Sequence, residues 1–432
     1  MDWLLQEGLS YEEGRDWIDH FIESLPENKI GQAPYPTALR IINWTKFICL
    51  YRENVSEDTR RAWDSSLCSQ VDLLLRRLEY HLLGNHLLED ICALFIASIY
   101  LSDGLLSKRA IKMLKRELQE QILPDGAHYE QAPMYHCILL DRLLDCYNFA
   151  MTNSDRLRDQ SILEVLRSSL ISMLGHLESI VYRDGSIPLV NDSAYGIALP
   201  YRAICSYAKS LCLEWKSLPM KEAGYRWLRT DSLEVFIDVA NVMATYQPGH
   251  THADSLSYEL RIGGVPIVVD TGISTYDKTS RREYERATSA HNTVIIEGRN
   301  SSETWGGFRV GKRAHTTLLL DTDTLIHAEH DGFGRAHLHY REFALQDKGL
   351  RIRDCISHNE ATTLLHLAPD LNVLSSTPTQ VILSGGIVID ITGAYEVTVT
   401  ENYISRYYNK HERIQVLHIQ FSQEVEYFIH EE

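Results

Sequence analysis

The chain has 432 residues, with 42 Lys+Arg against 59 Asp+Glu, a formal net charge of −17. Hydrophobic residues make up 44 % and charged residues 23 %, an ordinary globular balance that excludes a disordered chain, a collagen-like chain and a small disulfide scaffold. The acidity argues against a whole-molecule nucleic-acid binder or a protein held electrostatically on anionic lipid, and the length predicts two domains.

The N-terminus has no basic stretch followed by an apolar one, so no signal peptide is visible, and no run reaches the roughly 18 to 20 apolar residues of a membrane span. The first half carries helical periodicity. Val71–Leu83, Leu88–Leu101, Leu105–Leu118, Cys137–Ala150 and Ser161–Ile180 repeat apolar residues at three- and four-residue steps. Short polar breaks, Ser102-Asp103-Gly104 and Pro124-Asp125-Gly126, predict antiparallel helical neighbours. Beyond Gly224–Asp231 the period changes to two. Leu233–Val239, Leu350–Arg353, Val381–Thr392, Tyr395–Thr400 and Ile414–Phe421 predict strands with no helix of useful length between them. Helices first and strands afterwards predict segregated domains, a helical one over 1–228 and an antiparallel β domain over 229–432. The eight cysteines form no CxxC pair and several sit in apolar helical runs, which predicts buried free thiols and leans towards a reducing compartment.

Chemistry-bearing residues cluster in three places. Pro248-Gly-His250-Thr-His252-Ala-Asp254 puts two histidines on one side of an extended segment, with Asp270-Thr-Gly272 and Ala290-His291-Asn-Thr downstream. Such a set suits zinc, or it is a pair of hydrogen-bonded histidines at a strand entrance. Asp125-Gly-Ala-His128-Tyr-Glu130-Gln131-Ala-Pro133-Met-Tyr135-His136 crosses a turn into a helix, with Pro133 suited to an early helical position. Tyr135 then sits near the positive end of the helix dipole, either as a proton donor or as a packed aromatic. Gly84-Asn85-His86 and Asn191-Asp192-Ser193 read equally as helix or loop caps.

Together these strings resemble the heparinase II/III family of polysaccharide lyases. The ordered set also includes Asp184-Gly-Ser-Ile-Pro188, Ser302-Glu303-Thr-Trp305-Gly-Gly-Phe308-Arg309 and Ala328-Glu-His330-Asp-Gly332, and it spans about Pro34 to Gly332. Ala132 stands where the family pattern suggests Ser. The branch most similar is the one often encoded with bacterial surface-polysaccharide genes. The resemblance implies an incomplete (α/α) toroid followed by an antiparallel β-sandwich, with substrate in a groove between them.

It also implies β-elimination on a uronic-acid glycan. A base removes the C5 proton, the 4-O bond breaks and a 4,5-unsaturated sugar remains. Asn85 and His86 match the positions that hold the C5 carboxylate, Tyr135 the general acid, and His250 the opposing base. Glu130, Gln131 and His136, with Arg286, Trp305 and Arg309, are expected at the substrate. His252, Asp270 and His291 match the ligands of one structural zinc, with Asp254 and Glu303 as orienters of histidines. The expected partner is an acidic polysaccharide or oligosaccharide. The expected location is the periplasm or outside the cell by resemblance, or the cytoplasm if the sequence is complete as given. Oligomeric state is not readable.

Residues 281–313 carry seven Arg/Lys against four Glu, a local +3 that would suit an acidic substrate despite the overall charge; solvated ion pairs explain it equally. Tyr276, Trp305 and Phe308 could stack on sugars or belong to a core. Two other functions fit parts of the pattern: a non-catalytic glycan-binding homologue in surface-polysaccharide assembly, and a zinc hydrolase. The absence of βα alternation around HxHxD argues against the hydrolase.

Overall fold

The computed structural model describes residues 2–334, 337–357 and 360–432. Among the described residues, eight α-helices precede the first strand: α1 Tyr11–Ser24, α2 Pro34–Leu50, α3 Glu57–Leu75, α4 Gly84–Tyr100, α5 Gly104–Gln121, α6 Pro133–Thr152, α7 Ser161–Ile180 and α8 Tyr201–Ser210. The chain is an incomplete helical toroid followed by an antiparallel β-sandwich, as the resemblance implies, and the helix-then-strand order agrees with the order of periods. No helix among the described residues is long and apolar enough to cross a membrane.

Two compact units emerge, and they do not follow a single cut near residue 228. One comprises Met1–Ile122, Leu139–Ile171 and Ser206–Glu214; the other comprises Leu123–Ile138, Ser172–Cys205 and Trp215–Glu432. The first is built around α4. That helix is apolar on all sides and buried from Gly84 to Ile99 apart from His86, and it packs against α2 and α5. Its two buried acids are managed differently. Glu89 accepts from Arg142 Nε at 2.6 Å, whereas Asp90 accepts only from the Glu79 N–H, and burial pushes its carboxyl up to about 8. That bond helps explain why the periodic stretch Val71–Leu83 is helical only to Leu75. Residues 76–83 instead form turns around Glu79, whose carbonyl accepts from Leu82 and Leu83 N–H.

The second unit holds the strands. β1 Tyr225–Arg229, β2 Leu233–Asp238, β3 Tyr258–Ile262 and β4 Val265–Val268 form an antiparallel sheet in that order. A short helix α9, Ser280–Glu285, follows, then β5 Val294–Ile295. β6 Thr304–Trp305 and β7 Arg309–Val310 pair as a separate two-stranded ribbon, turned by Gly306 and Gly307. The remaining strands are β8 Thr316–Asp321, β9 Leu325–His330, β10 His339–Gln346, β11 Gly349–Ile356, β12 Ala361–His366, β13 Val373–Ser376, β14 Gln380–Leu383, β15 Ile387–Ile404 and β16 Glu412–Glu431. They form a sheet in the order β13-β14-β15-β16-β11-β10-β9-β8, with β12 pairing β16 and β5. The expected single strand Val381–Thr392 is divided by a turn at Ser384–Gly386 into β14 and β15. An apolar core runs from Leu228 and Val235 in the first sheet to Ile352, Leu417 and Ile429 in the second.

β2 shows why alternation alone misleads. All six of its residues are buried, and Glu234 is accommodated by the Arg183 N–H at 3.0 Å and by Arg229 at 3.4 Å. All eight cysteines are free; Cys92, Cys137, Cys146 and Cys205 are buried, while Cys49, Cys68 and Cys212 are exposed, so burial is not general.

Candidate active site

The turn before α6 is fixed by its glycine. Gly126 has φ +81°, and a Cβ there would lie 2.0 Å from the Ser172 carbonyl oxygen. Asp125 beside it accepts from the Ala223 N–H at 2.8 Å. The loop then passes through Gln131, a non-glycine residue at φ +57°, before Pro133 opens α6. Gln131 Nε2 donates to the carbonyls of Ala223 and Asn241, and its Oε1 accepts from Met243 N–H. His136 Nδ1 accepts from His128 N–H, so its proton is on Nε2, which donates to the Met173 carbonyl. Both side chains, expected at the substrate, instead hold the loop. A buried amide or imidazole must be satisfied, and the protein satisfies each completely.

Tyr135 in the first turn of α6 is brought against His250, with ring centroids 4.0 Å apart. Its hydroxyl donates to Tyr276 OH at 3.1 Å, and Tyr276 stacks on Phe308 at 5.7 Å. Burial, reinforced by Asp192, pushes the Tyr135 phenol well above its usual pKa, so it is a proton donor at neutral pH. His250 Nδ1 donates to Asp192 Oδ2 at 2.7 Å, and Glu130 Oε2 lies 3.7 Å from its Nε2. Asp192 is fully buried and also bonded by both terminal nitrogens of Arg282. Burial opposes its ionisation, but Arg282 and the two histidines it contacts hold its carboxyl well below the ordinary range.

The same carboxylate holds His252, whose Nε2 donates to Asp192 Oδ1 at 2.8 Å. Among the described residues, this leaves His252 Nδ1 without a partner. His291 is arranged likewise: Nδ1 donates to Asp270 Oδ2 at 2.7 Å, and Nε2 has no partner among the described residues. With Asp254, whose Oδ2 is also unpartnered, these form a buried group with ligand atoms within 4.8 Å of one another that could hold a metal ion. Against the effect of burial, Asp270 and Asp254 raise the His291 pKa, as expected of a pocket that favours positive charge. Each histidine has a carboxylate on its far nitrogen, the usual arrangement around a bound metal. The group therefore differs from expectation. Asp254 faces the two histidines, while Asp270 orients His291 and accepts from the Gly272 N–H. Gly272 at φ +60° could not carry a side chain, since its Cβ would meet the Ser405 carbonyl oxygen at 2.4 Å.

The +3 segment is largely committed within the protein. Arg281 pairs with Glu285, Arg282 with Asp192 and Arg299 with Glu297, while Arg313 bonds the Thr245 carbonyl. Arg286 is buried and bonded to the carbonyls of Thr251 and Arg309, so it braces the His250–His252 segment and does not face solvent. Arg309 is exposed, as are Trp305 and Phe308 around the β6–β7 turn. Glu303 is exposed and accepts from Lys312 N–H.

In the other unit, Asn85 is buried in the first turn of α4; Leu83 is the cap residue and no side chain caps this helix, so Asn85 is not an N-cap. His86 Nδ1 lies 3.0 Å from Glu79 Oε2 and its ring 4.7 Å from that of Tyr35. Asp192 and Arg282 were not legible as site residues. Asp192 reads locally as a loop cap, and its partners lie 58 to 90 residues away.

The fold is that of polysaccharide lyases of known structure. The crystal structure of heparinase III superposes with a TM-score of 0.77 at 17 % identity, covering 98 % of this chain and 74 % of that one. Heparan sulfate lyase HepC from Pedobacter heparinus gives 0.66 at 17 % identity, covering 98 % and 73 %. Chondroitin AC lyase from Streptomyces coelicolor A3 gives 0.53 at 10 % identity, covering 99 % and 72 %. A curated heparin-sulfate lyase of Pedobacter heparinus is 23 % identical over 217 residues; the match takes in 44 % of this chain and 32 % of that protein, about a third of the relative's length. The heparinase II/III N-terminus model matches residues 40–210, and the heparinase II/III-like, C-terminal model matches residues 214–427. The chain belongs to the heparinase II/III family.

Proposed function

We propose that this chain is a polysaccharide lyase that cleaves a uronic-acid-containing glycan by β-elimination. The observation that carries this reading is the pairing of a protonated Tyr135 with His250 at 4.0 Å between rings, the imidazole being anchored through Nδ1 on Asp192. With the proton on Nδ1, the basic electron pair of His250 is at Nε2. His250 removes the C5 proton, the electron pair forms the C4–C5 double bond, the C4–O bond breaks and Tyr135 protonates the departing oxygen. Proton return from His250 to the Tyr135 phenolate restores the starting state. A protonated phenol set against an imidazole anchored through Nδ1 is the arrangement an acid–base pair requires.

Asn85 and His86 are assigned the C5 carboxylate, where stabilising the enolate-like charge is electrostatic work. Trp305 and Arg309 are assigned to sugar binding. We assign one zinc ion to His252, Asp254 and His291. When bound it cross-links the two loops that carry these residues, and it supplies no nucleophile. Work in the periplasm or outside the cell accords with an extracellular acidic glycan.

Incubation with a panel of uronate glycans is expected to raise the ultraviolet absorbance of the 4,5-unsaturated product, and Tyr135→Phe to abolish the rise. Glycan binding without product from the wild type, over a panel that includes the host's own surface polysaccharide, would sink the lyase reading in favour of a binding homologue.

A further inference from the structure

We propose that Asp192 is a positioning residue that fixes, with one carboxylate, both the basic nitrogen of His250 and the metal-facing nitrogen of His252. The role given to His250 rests on the lyase reading; the role at His252 does not.

An ionised carboxylate only accepts hydrogen bonds. Asp192 Oδ2 meets His250 Nδ1 at 2.7 Å and Oδ1 meets His252 Nε2 at 2.8 Å, so both ring atoms carry hydrogen. The tautomers are thereby opposite. His250 keeps its electron pair on Nε2 and His252 keeps its pair on Nδ1, the atom that faces Asp254 and His291. His250 lies in the turn closed by the Thr251 N–H on the Pro248 carbonyl, and His252 follows directly after it, so that a single carboxylate spans both rings.

The backbone makes this geometry obligatory. Asp192 N–H donates to the His250 carbonyl at 3.2 Å, and His252 N–H donates to Asn191 Oδ1 at 3.0 Å. Asn191 is held at φ +54°, and its Nδ2 donates to the Gln131 carbonyl. The Thr251 carbonyl between the two histidines accepts from Arg286 Nη2 at 2.8 Å. Arg282 fixes the plane of the carboxylate by bonding both oxygens, and its Nε donates to the Gly307 carbonyl at 3.0 Å.

An amide in place of this carboxylate has one acceptor and one donor group. One imidazole must then turn to its other tautomer or lose its bond. A residue that served packing alone would affect neither the basic nitrogen nor metal affinity.

The test uses the full chain labelled with 15N-histidine. Long-range 1H–15N spectra of the wild type are expected to show hydrogen on His250 Nδ1 and His252 Nε2. Asp192→Asn is expected to lower kcat by about 100-fold or more with KM within about threefold. Its zinc affinity, in competition with a chelator, should fall by about 10- to 100-fold. His291→Ala is the contrast, losing zinc affinity while the His250 tautomer stays. Arg282 is left unpaired in the single variant, so Asp192→Asn/Arg282→Met provides a second background, and the wild-type spectrum needs no variant at all. Hydrogen on His250 Nε2 with a bare Nδ1, or an Asp192→Asn protein that retains either wild-type kcat or wild-type zinc affinity, would overturn the proposal. A wild type that never yields unsaturated product refutes the lyase reading alone; the spectrum and the zinc titration still decide the role of Asp192.

Discussion

Two buried carboxylates in the strand-bearing unit, Asp192 and Asp354, are each gripped on both oxygens by a buried arginine and each hold histidine. Asp354 accepts from Arg341 Nε at 2.6 Å and Nη2 at 2.7 Å, from His339 Nε2 at 2.9 Å, and from Thr363 Oγ1. His339 Nδ1 in turn accepts from His330 Nε2 at 3.1 Å, and His330 Nδ1 accepts from the Gly332 N–H. Every ring nitrogen in that chain is closed, the last by backbone. The Asp192 network has the same ionic centre but ends at His252 Nδ1, which has no partner among the described residues. A buried ion pair with histidine is thus not in itself a mark of chemistry. What distinguishes the two is whether the chain of hydrogen bonds terminates on the protein or on an atom left to meet something else.

This contrast can be broken experimentally. The largest effect expected is loss of turnover beside the Asp192 network: Tyr135→Phe should lower product formation by about 10²- to 10⁴-fold, with little change in denaturant midpoint. The closed network should respond in the opposite sense. Asp354→Asn leaves Arg341 charged and buried, and urea unfolding should show a loss of about 3–5 kcal/mol. Full stability in that variant would refute the structural role assigned to Asp354. Next, a chelator should lower the thermal midpoint of the wild type but not of His291→Ala; an ion at about 100 times its Kd contributes about 2.7 kcal/mol.

Acid should then separate the histidines. Burial lowers the pKa of both His330 and His339 in the fold. Above about pH 6.5 neither folded nor unfolded chain binds these protons, and no stability depends on them. As pH falls below that value the unfolded chain binds them first, so stability declines by up to about 1.4 kcal/mol per pH unit per histidine. His128, lowered by burial to about 4, adds to the same slope between these limits. A flat stability profile from pH 7 to 5 would show that the closed network is not neutral. The smallest effect lies at the exposed rim: Arg309→Ala should raise KM about threefold, roughly 0.7 kcal/mol, at constant kcat.

The sequence makes the elements with unbroken periodicity legible. Ser161–Ile180 coincides with α7 because its apolar face is complete. β9 and β10 carry no such signal, since His330, His339 and Arg341 are polar yet buried, and their partners come from other strands. The site follows the same rule. Tyr135, His250, His252 and His291 stand out as residue types in local strings. The placing of Asp254 beside His252 and His291 and the central place of Asp192 depend on loops meeting in space. Gln131, His136 and Arg286 lie in the right strings, but their polar atoms face carbonyls and amides that no local pattern reveals.

The β6–β7 ribbon has a consequence for how such a protein can diversify. Its two strands pair only with each other, and they place Trp305, Phe308 and Arg309 in solvent. The fixed parts lie elsewhere, at Gly126 and Gly272, where a single added carbon collides with backbone. Under the sugar-binding role proposed for Trp305 and Arg309, variation at these two side chains would alter glycan preference, whereas Phe308 stacks on the Tyr276 that accepts from Tyr135 and is tied to the chemical centre. A library confined to Trp305 and Arg309 would explore glycan preference with the side chains around Tyr135 and His250 left in place.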